Sequence, residues 1–137
     1  MSAEVSFFNF RMFDENKNTT DLHAFQGKDA IVVINCRTLE EISAKAPNYY
    51  ELEDKFEKRV QILCLPGLKF LYHSHEQESD TLIDYLKAKT NIKDSDEDGL
   101  TFIINNKAHS PASEQIIYIG KNVSLIDISG EISKVLN

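Results

Sequence analysis

The chain contains no tryptophan, only two cysteines, and fewer basic than acidic residues. Each shortage closes off a class of function. Without tryptophan, no site here can use an indole N–H as a donor. Cys36 and Cys64 are too few for the disulfide frameworks that hold small secreted domains together, and they point to a reducing compartment, the cytoplasm. Fifteen Lys and Arg against 22 Asp and Glu leave a formal net charge of −7. Nucleic-acid affinity comes largely from neutralising phosphates, so this balance argues against a nucleic-acid binder and against binding to anionic lipid. It suits a basic protein partner, or solubility alone. No apolar run approaches the ~20 residues of a membrane-spanning helix. The opening MSAEVSFFNF lacks the basic region and apolar block of a secretory signal, so the N-x-S/T matches at Asn18 and Asn122 carry little weight.

What is present reads as one domain over residues 1–137, since 137 residues with 42% hydrophobic content can bury one core. VSFFNFRMF (5–13) has strand chemistry, and DENKNTT (14–20) is a turn. AIVVIN (30–35) is a continuous β-branched run, the pattern of a central strand covered on both faces. The spacing predicts a helix over 47–59, with Pro47 in its first turn and Tyr49, Leu52 and Phe56 as its apolar stripe. A second buried strand follows at 60–66, and a second helix at 79–91 with Ser79 as candidate N-cap. A third strand spans 100–105, residues 114–129 read as a hairpin turning at Gly120–Asn122, and GEISKVL suits a short terminal helix. Strands 30–35 and 60–66, joined through a helix, make a right-handed parallel βαβ unit, and the last main strands pair antiparallel. That order predicts an α/β, thioredoxin-like fold: a central mixed sheet flanked by helices.

Several stretches, in this order, resemble the glutathione peroxidase family. SFFNF, a turn and DLHAFQGKDAIVVIN are similar to its Phe-rich strand, y-x-G-K turn and apolar strand ending in Asn. APNYYELEDKFEK is similar to its T-P-Q-Y-x-x-L helix start, ILCLPGLKF to its I-L-x-F-P-C-N-Q-F strand, and NNKAHSP to its N-G-x-x-A-H-P loop. The resemblance implies a thiol or selenol nucleophile where a strand runs into a helix, its pKa lowered by amide, indole and asparagine donors. Counting back from Pro47–Tyr49 puts that position at Ser43, and counting forward from Asn35 puts it at Glu40. Neither is cysteine, and a serine hydroxyl stays protonated near neutral pH and is a poor two-electron reductant. The family's glutamine matches Lys69, its nearby cysteine matches Gly67, and the resolving cysteine of its two-cysteine members falls at Leu86 or a neighbour. The resemblance therefore implies the glutathione-peroxidase-like fold while these residues deny its reaction.

The function expected is that of a catalytically degenerate, non-enzymatic binding or structural module with no cofactor, meeting a protein partner through a 36–46 loop. An alternative is a divergent thiol peroxidase or reductase using Cys36, which follows a central strand and has Arg37 beside it to lower its pKa. The plainer reading of Cys36, and of Cys64, is a small buried residue. A Cys36–Cys64 bridge between adjacent strands is conceivable, but a reducing compartment disfavours it. A second alternative is metal binding. His73 and His75, near Glu76 and Glu78, could hold zinc or copper but have no evident third ligand. Asp94, Asp96 and Asp98 with Gly99 match the first half of a calcium loop, but its twelfth position is Asn105 where a glutamate is needed. The plainer readings are an exposed loop and a solvated acidic turn. Lys45, Lys55, Lys58 and Arg59 read as the solvated side of the first helix, and His109 has no partner visible in the sequence.

Overall fold

A strand buried on both faces cannot leave either face in water, and this chain sets three such strands side by side, the β-branched run AIVVIN at the centre. A computed structural model describes residues 7–13, 19–36, 39–65, 76–93, 96, 98–109 and 115–137. Within them lie strands β1 (Arg11–Phe13), β2 (Thr19–Asp21), β3 (Ala30–Asn35), β4 (Val60–Leu65), β5 (Leu100–Asn105) and β6 (Gln115–Lys121). The helices are α1 (Leu39–Lys55), α2 (Glu76–Thr90) and α3 (Leu125–Leu136), with 3-10 turns at Phe7–Asn9 and Leu22–Phe25. β1 and β2 pair antiparallel as a separate ribbon.

The main sheet has the order β4-β3-β5-β6. β3 and β4 are parallel, from Ala30↔Val60 to Asn35↔Leu65. β5 runs antiparallel to β3, and β6 antiparallel to β5. Alternation along the strands divides the core in two. Ile31, Val33, Leu63 and Phe102 point to one face, against α2 and the 3-10 turn at Phe7–Asn9. Val32, Ile34, Ile62 and Ile103 point to the other, against α1 and α3. A mixed four-stranded sheet of this order, with helices on both faces, is the thioredoxin-like fold that the order of elements predicts. Among the described residues, no helix is long and apolar enough to cross a membrane.

Three local expectations are corrected. The first helix opens at Leu39, not near Pro47, so most of the expected 36–46 loop is helical. Glu40 and Glu41 in the first turn suit the positive end of the helix dipole, and Lys45 bonds Glu41 one turn on at 3.2 Å. Pro47 lies inside α1 at an exposed position, where it supplies no amide to the preceding turn. Residues 114–129 are not a hairpin, because β6 ends at Lys121 and α3 begins at Leu125. Ser124 caps α3, accepting from the Asp127 N–H at 3.2 Å, and Leu125, Ile128, Ile132 and Val135 form its inward stripe at helical spacing. Lastly, the 5–13 segment is a 3-10 turn followed by a three-residue strand.

At the amino end of β3, Asp29 ties three loops together. Its carboxylate accepts from Arg59 Nε at 2.7 Å and lies 2.7 Å from His109 Nε2. Its N–H donates to the Arg59 carbonyl at 2.8 Å, and its carbonyl accepts from the Asn106 N–H at 2.8 Å. Arg59 thus sits past the end of α1 rather than on its solvated side, and His109 has a partner after all. Burial alone would raise the Asp29 pKa, but the hydrogen bonds from His109 and Arg59 outweigh it, and the net shift is downward. A carboxyl lowered on folding stabilises the fold above its unfolded value of about 3.9, and that contribution is lost as pH falls through the folded value.

Asp29→Asn is expected to cost about 1 kcal/mol near pH 7, with the gap from wild type closing below about pH 4, as read by urea unfolding at both pH values. Ser124→Ala is expected to lower stability by about 1 kcal/mol, measured the same way, through loss of the α3 cap.

Candidate functional site

In open α/β sheets ligands gather beyond the carboxyl ends of the strands, and here that edge is where β3 and β4 end beneath the start of α1. The last ladder pair is Asn35↔Leu65, and one further bond, from Cys36 N–H to the Leu65 carbonyl at 2.7 Å, carries Cys36 alongside β4. Glu40 stands in the first turn of α1 and is exposed. Ser43 lies one turn further along the same helix, its side chain outside the described residues. Both counts for the nucleophile position therefore fall in the opening turns of α1. A carboxylate there has no sulfur to oxidise.

The two cysteines converge. Cys64 pairs with Ile34 across the ladder, and Cys36 follows Ile34 by two residues, so strand alternation puts both thiols on the α1 side of the sheet. Cys36 is 4% exposed and Cys64 7%. Their side chains share a hydrogen bond, and no disulfide joins them. That bond pulls the Cys36 pKa down. Burial and the Glu41 carboxylate push it up, Lys45 pulls it down, and the net shift is downward. Tyr49, on the buried side of α1, completes the cluster. Its phenol is pushed up, first by burial, then by negative charge at Cys64, Cys36 and Glu41, so it stays a protonated donor.

Sequence reasoning assigned Tyr49 only to an apolar stripe. Its place in the same buried cluster as both thiols was in principle readable, since Glu41, Lys45 and Tyr49 recur every four residues, but only from the true start of the helix.

At the neighbouring strand end, the Gly99 N–H donates to the Asn35 carbonyl at 2.6 Å, and the Asn122 N–H donates to the Gly99 carbonyl at 2.9 Å. Gly99 has φ +82°, and a Cβ there would meet Asn122 Oδ1 at 2.3 Å, so this pinned turn requires glycine. The acidic turn is anchored by it. Asp96 accepts from Lys121 Nζ at 2.8 Å and from the Asp98 N–H at 3.2 Å, which holds it in an ion pair and an Asx turn. Among the described residues, no group of three or more His, Cys, Asp or Glu could hold a metal. His73, His75, Asp94, Gly67 and Lys69 lie outside the described residues. Leu86 is buried in the α2 side of the core.

Between α1 and α3 lies an open groove of about 610 Å³, lined by Leu52, Lys55, Ile126, Ser129 and Gly130 among others. Neither cysteine lines it, and Ile126 on its rim is 83% exposed.

No family model matches the chain, and no curated protein matches it in sequence. Among solved structures it is similar to the crystal structure of Trgpx, a glutathione peroxidase, in apo form, with a TM-score of 0.59 and 16% identity over 98% of this chain and 97% of that one. At that identity the likeness establishes shared architecture: the chain has a glutathione-peroxidase-like, thioredoxin-like fold.

Proposed function

We propose that this chain is a catalytically degenerate glutathione-peroxidase-like protein that works as a non-enzymatic binding module in the cytoplasm. One observation carries the reading: both cysteines of the chain lie buried between the sheet and α1, while the opening turns of α1, where the family resemblance would put a thiol nucleophile, hold Glu40 and Ser43. A nucleophile must be ionised, oriented and reachable at once. Cys36 meets the first condition in part, through the Cys64 hydrogen bond, but at 4% exposure it does not offer a reductant protein a sulfur to attack. The partner surface we favour is the start of α1, where Glu40 and Glu41 stand among the acidic residues that give the chain its net charge of −7. A basic protein surface is the complement.

The reading is tested by peroxide consumption with reduced thioredoxin or glutathione as electron donor. Turnover no faster than the uncatalysed rate is expected. Turnover that Cys36→Ser abolishes would replace this reading with a thiol peroxidase or reductase. On the binding side, Glu40→Lys is expected to weaken capture of the native partner, and unchanged capture would move the interface away from α1.

A further inference from the structure

The two cysteines are closer in space than their sequence positions require, and the binding reading gives them no chemical role. We propose that Cys36 and Cys64 are a peroxide-sensitive dithiol that closes into a reversible disulfide across the carboxyl ends of β3 and β4. The geometry supports this at three levels. Ladder register puts both side chains on one face of adjacent parallel strands, diagonal to one another. The Cys36 N–H bond to the Leu65 carbonyl at 2.7 Å keeps the chain beside β4 beyond the last ladder pair. Both side chains lie in one buried cluster on the α1 side of the sheet.

From ~4.8 Å between strands and ~3.3 Å of rise per residue, diagonal neighbours on adjacent parallel strands lie roughly 8 Å apart between Cα atoms, beyond the usual disulfide span. Closure therefore requires the two strand ends to move together, and it falls where the ladder stops rather than at its centre.

Burial selects the oxidant. With exposures of 4% and 7%, these sulfurs are open to a molecule the size of hydrogen peroxide sooner than to a bulky disulfide. The Cys36 sulfur attacks one peroxide oxygen and the O–O bond breaks. The departing hydroxide takes up the Cys36 proton as water, leaving a sulfenic acid on Cys36. The Cys64 sulfur then attacks the Cys36 sulfur, the S–O bond breaks, and the second hydroxide leaves with the Cys64 proton as water. Two thiols are oxidised to one disulfide, and one peroxide is reduced to two waters. Cys64 serves first as the hydrogen-bond donor that favours the Cys36 thiolate and then as the resolving thiol. Tyr49, held protonated, closes the cluster from the α1 side. The event is stoichiometric, once per chain, and does not require the turnover that the preceding reading denies.

The test treats the reduced full-length chain with equimolar hydrogen peroxide, then alkylates it in denaturant and measures intact mass and proteolytic fragments. The expected product is lighter by two hydrogens, resists alkylation, yields one peptide pair linked through Cys36 and Cys64, and reverts with dithiothreitol. Cys64→Ser is expected to stop at an oxygen adduct on Cys36 that dimedone traps, and Cys36→Ser to yield no such adduct at Cys64. Two alkylated thiols after a peroxide dose that fully oxidises a small-molecule thiol would overturn the proposal, as would disulfides that form only between chains. Fragment mapping of wild type decides the matter even if a variant misfolds. Absence of the bridge removes this inference and leaves the binding reading intact, whereas reductant-driven turnover removes the binding reading and leaves the bridge.

Discussion

Covering both faces of one strand is the constraint that the rest of the molecule answers. From Ala30 to Ile34 every side chain of β3 is buried, with Ile31 and Val33 facing one way and Val32 and Ile34 the other. A strand of that kind is stable only with paired neighbours on both edges and helices on both faces. The parallel partner β4 must be reached by a crossover, and α1 is that crossover. β5 returns antiparallel on the other edge, and α2 and α3 cover opposite faces. Asp29 and Asn106 hold one end of this arrangement, while Gly99 and Asn122 hold the other. Both ends use backbone groups that the central strands present where their ladders stop.

The same constraint makes a functional edge whether or not chemistry occupies it. A crossover helix that starts just after a central strand aims its first turn over the strand ends, so this fold places a nucleophile, a carboxylate or a binding surface there with equal ease. In this chain the opening turns of α1 carry acidic side chains, while sulfur lies one layer deeper, between the sheet and α1. Reactivity depends on access as well as on ionisation. A lowered thiol pKa inside a core is compatible with slow oxidation by a small molecule and with exclusion of a protein reductant.

Elements with continuous burial were legible in the sequence: β3, β4 and β5 came out with nearly correct bounds, whereas α2 opens at Glu76, which puts the expected cap Ser79 inside the helix. Failures occurred where local chemistry was ambiguous. Pro47 favours the first turn of a helix, and that preference masked the Leu39–Glu41 opening, whose acidic first turn is the better start signal. Ile126 and Ile128 alternate as strand residues do, so Ser124 was not recognised as a cap, and the exposure of Ile126 shows that the helical stripe rather than the alternation governs the segment. The site was less legible than the fold. The partnership of His109 with Asp29 spans 80 residues of sequence and has no local signature.

The sequence by itself determined an α/β fold with a parallel βαβ unit, and that no cysteine stands at either Ser43 or Glu40. These follow from period, residue type and position, which any reader of the chain can count. Only the tertiary structure decided that Cys36, Cys64 and Tyr49 meet in one buried cluster, and that α1 opens early enough to bring Glu41 and Lys45 within electrostatic reach of Cys36. The reason is physical: strand register and helix start are set by burial summed over the whole sheet, and a single segment does not contain that sum.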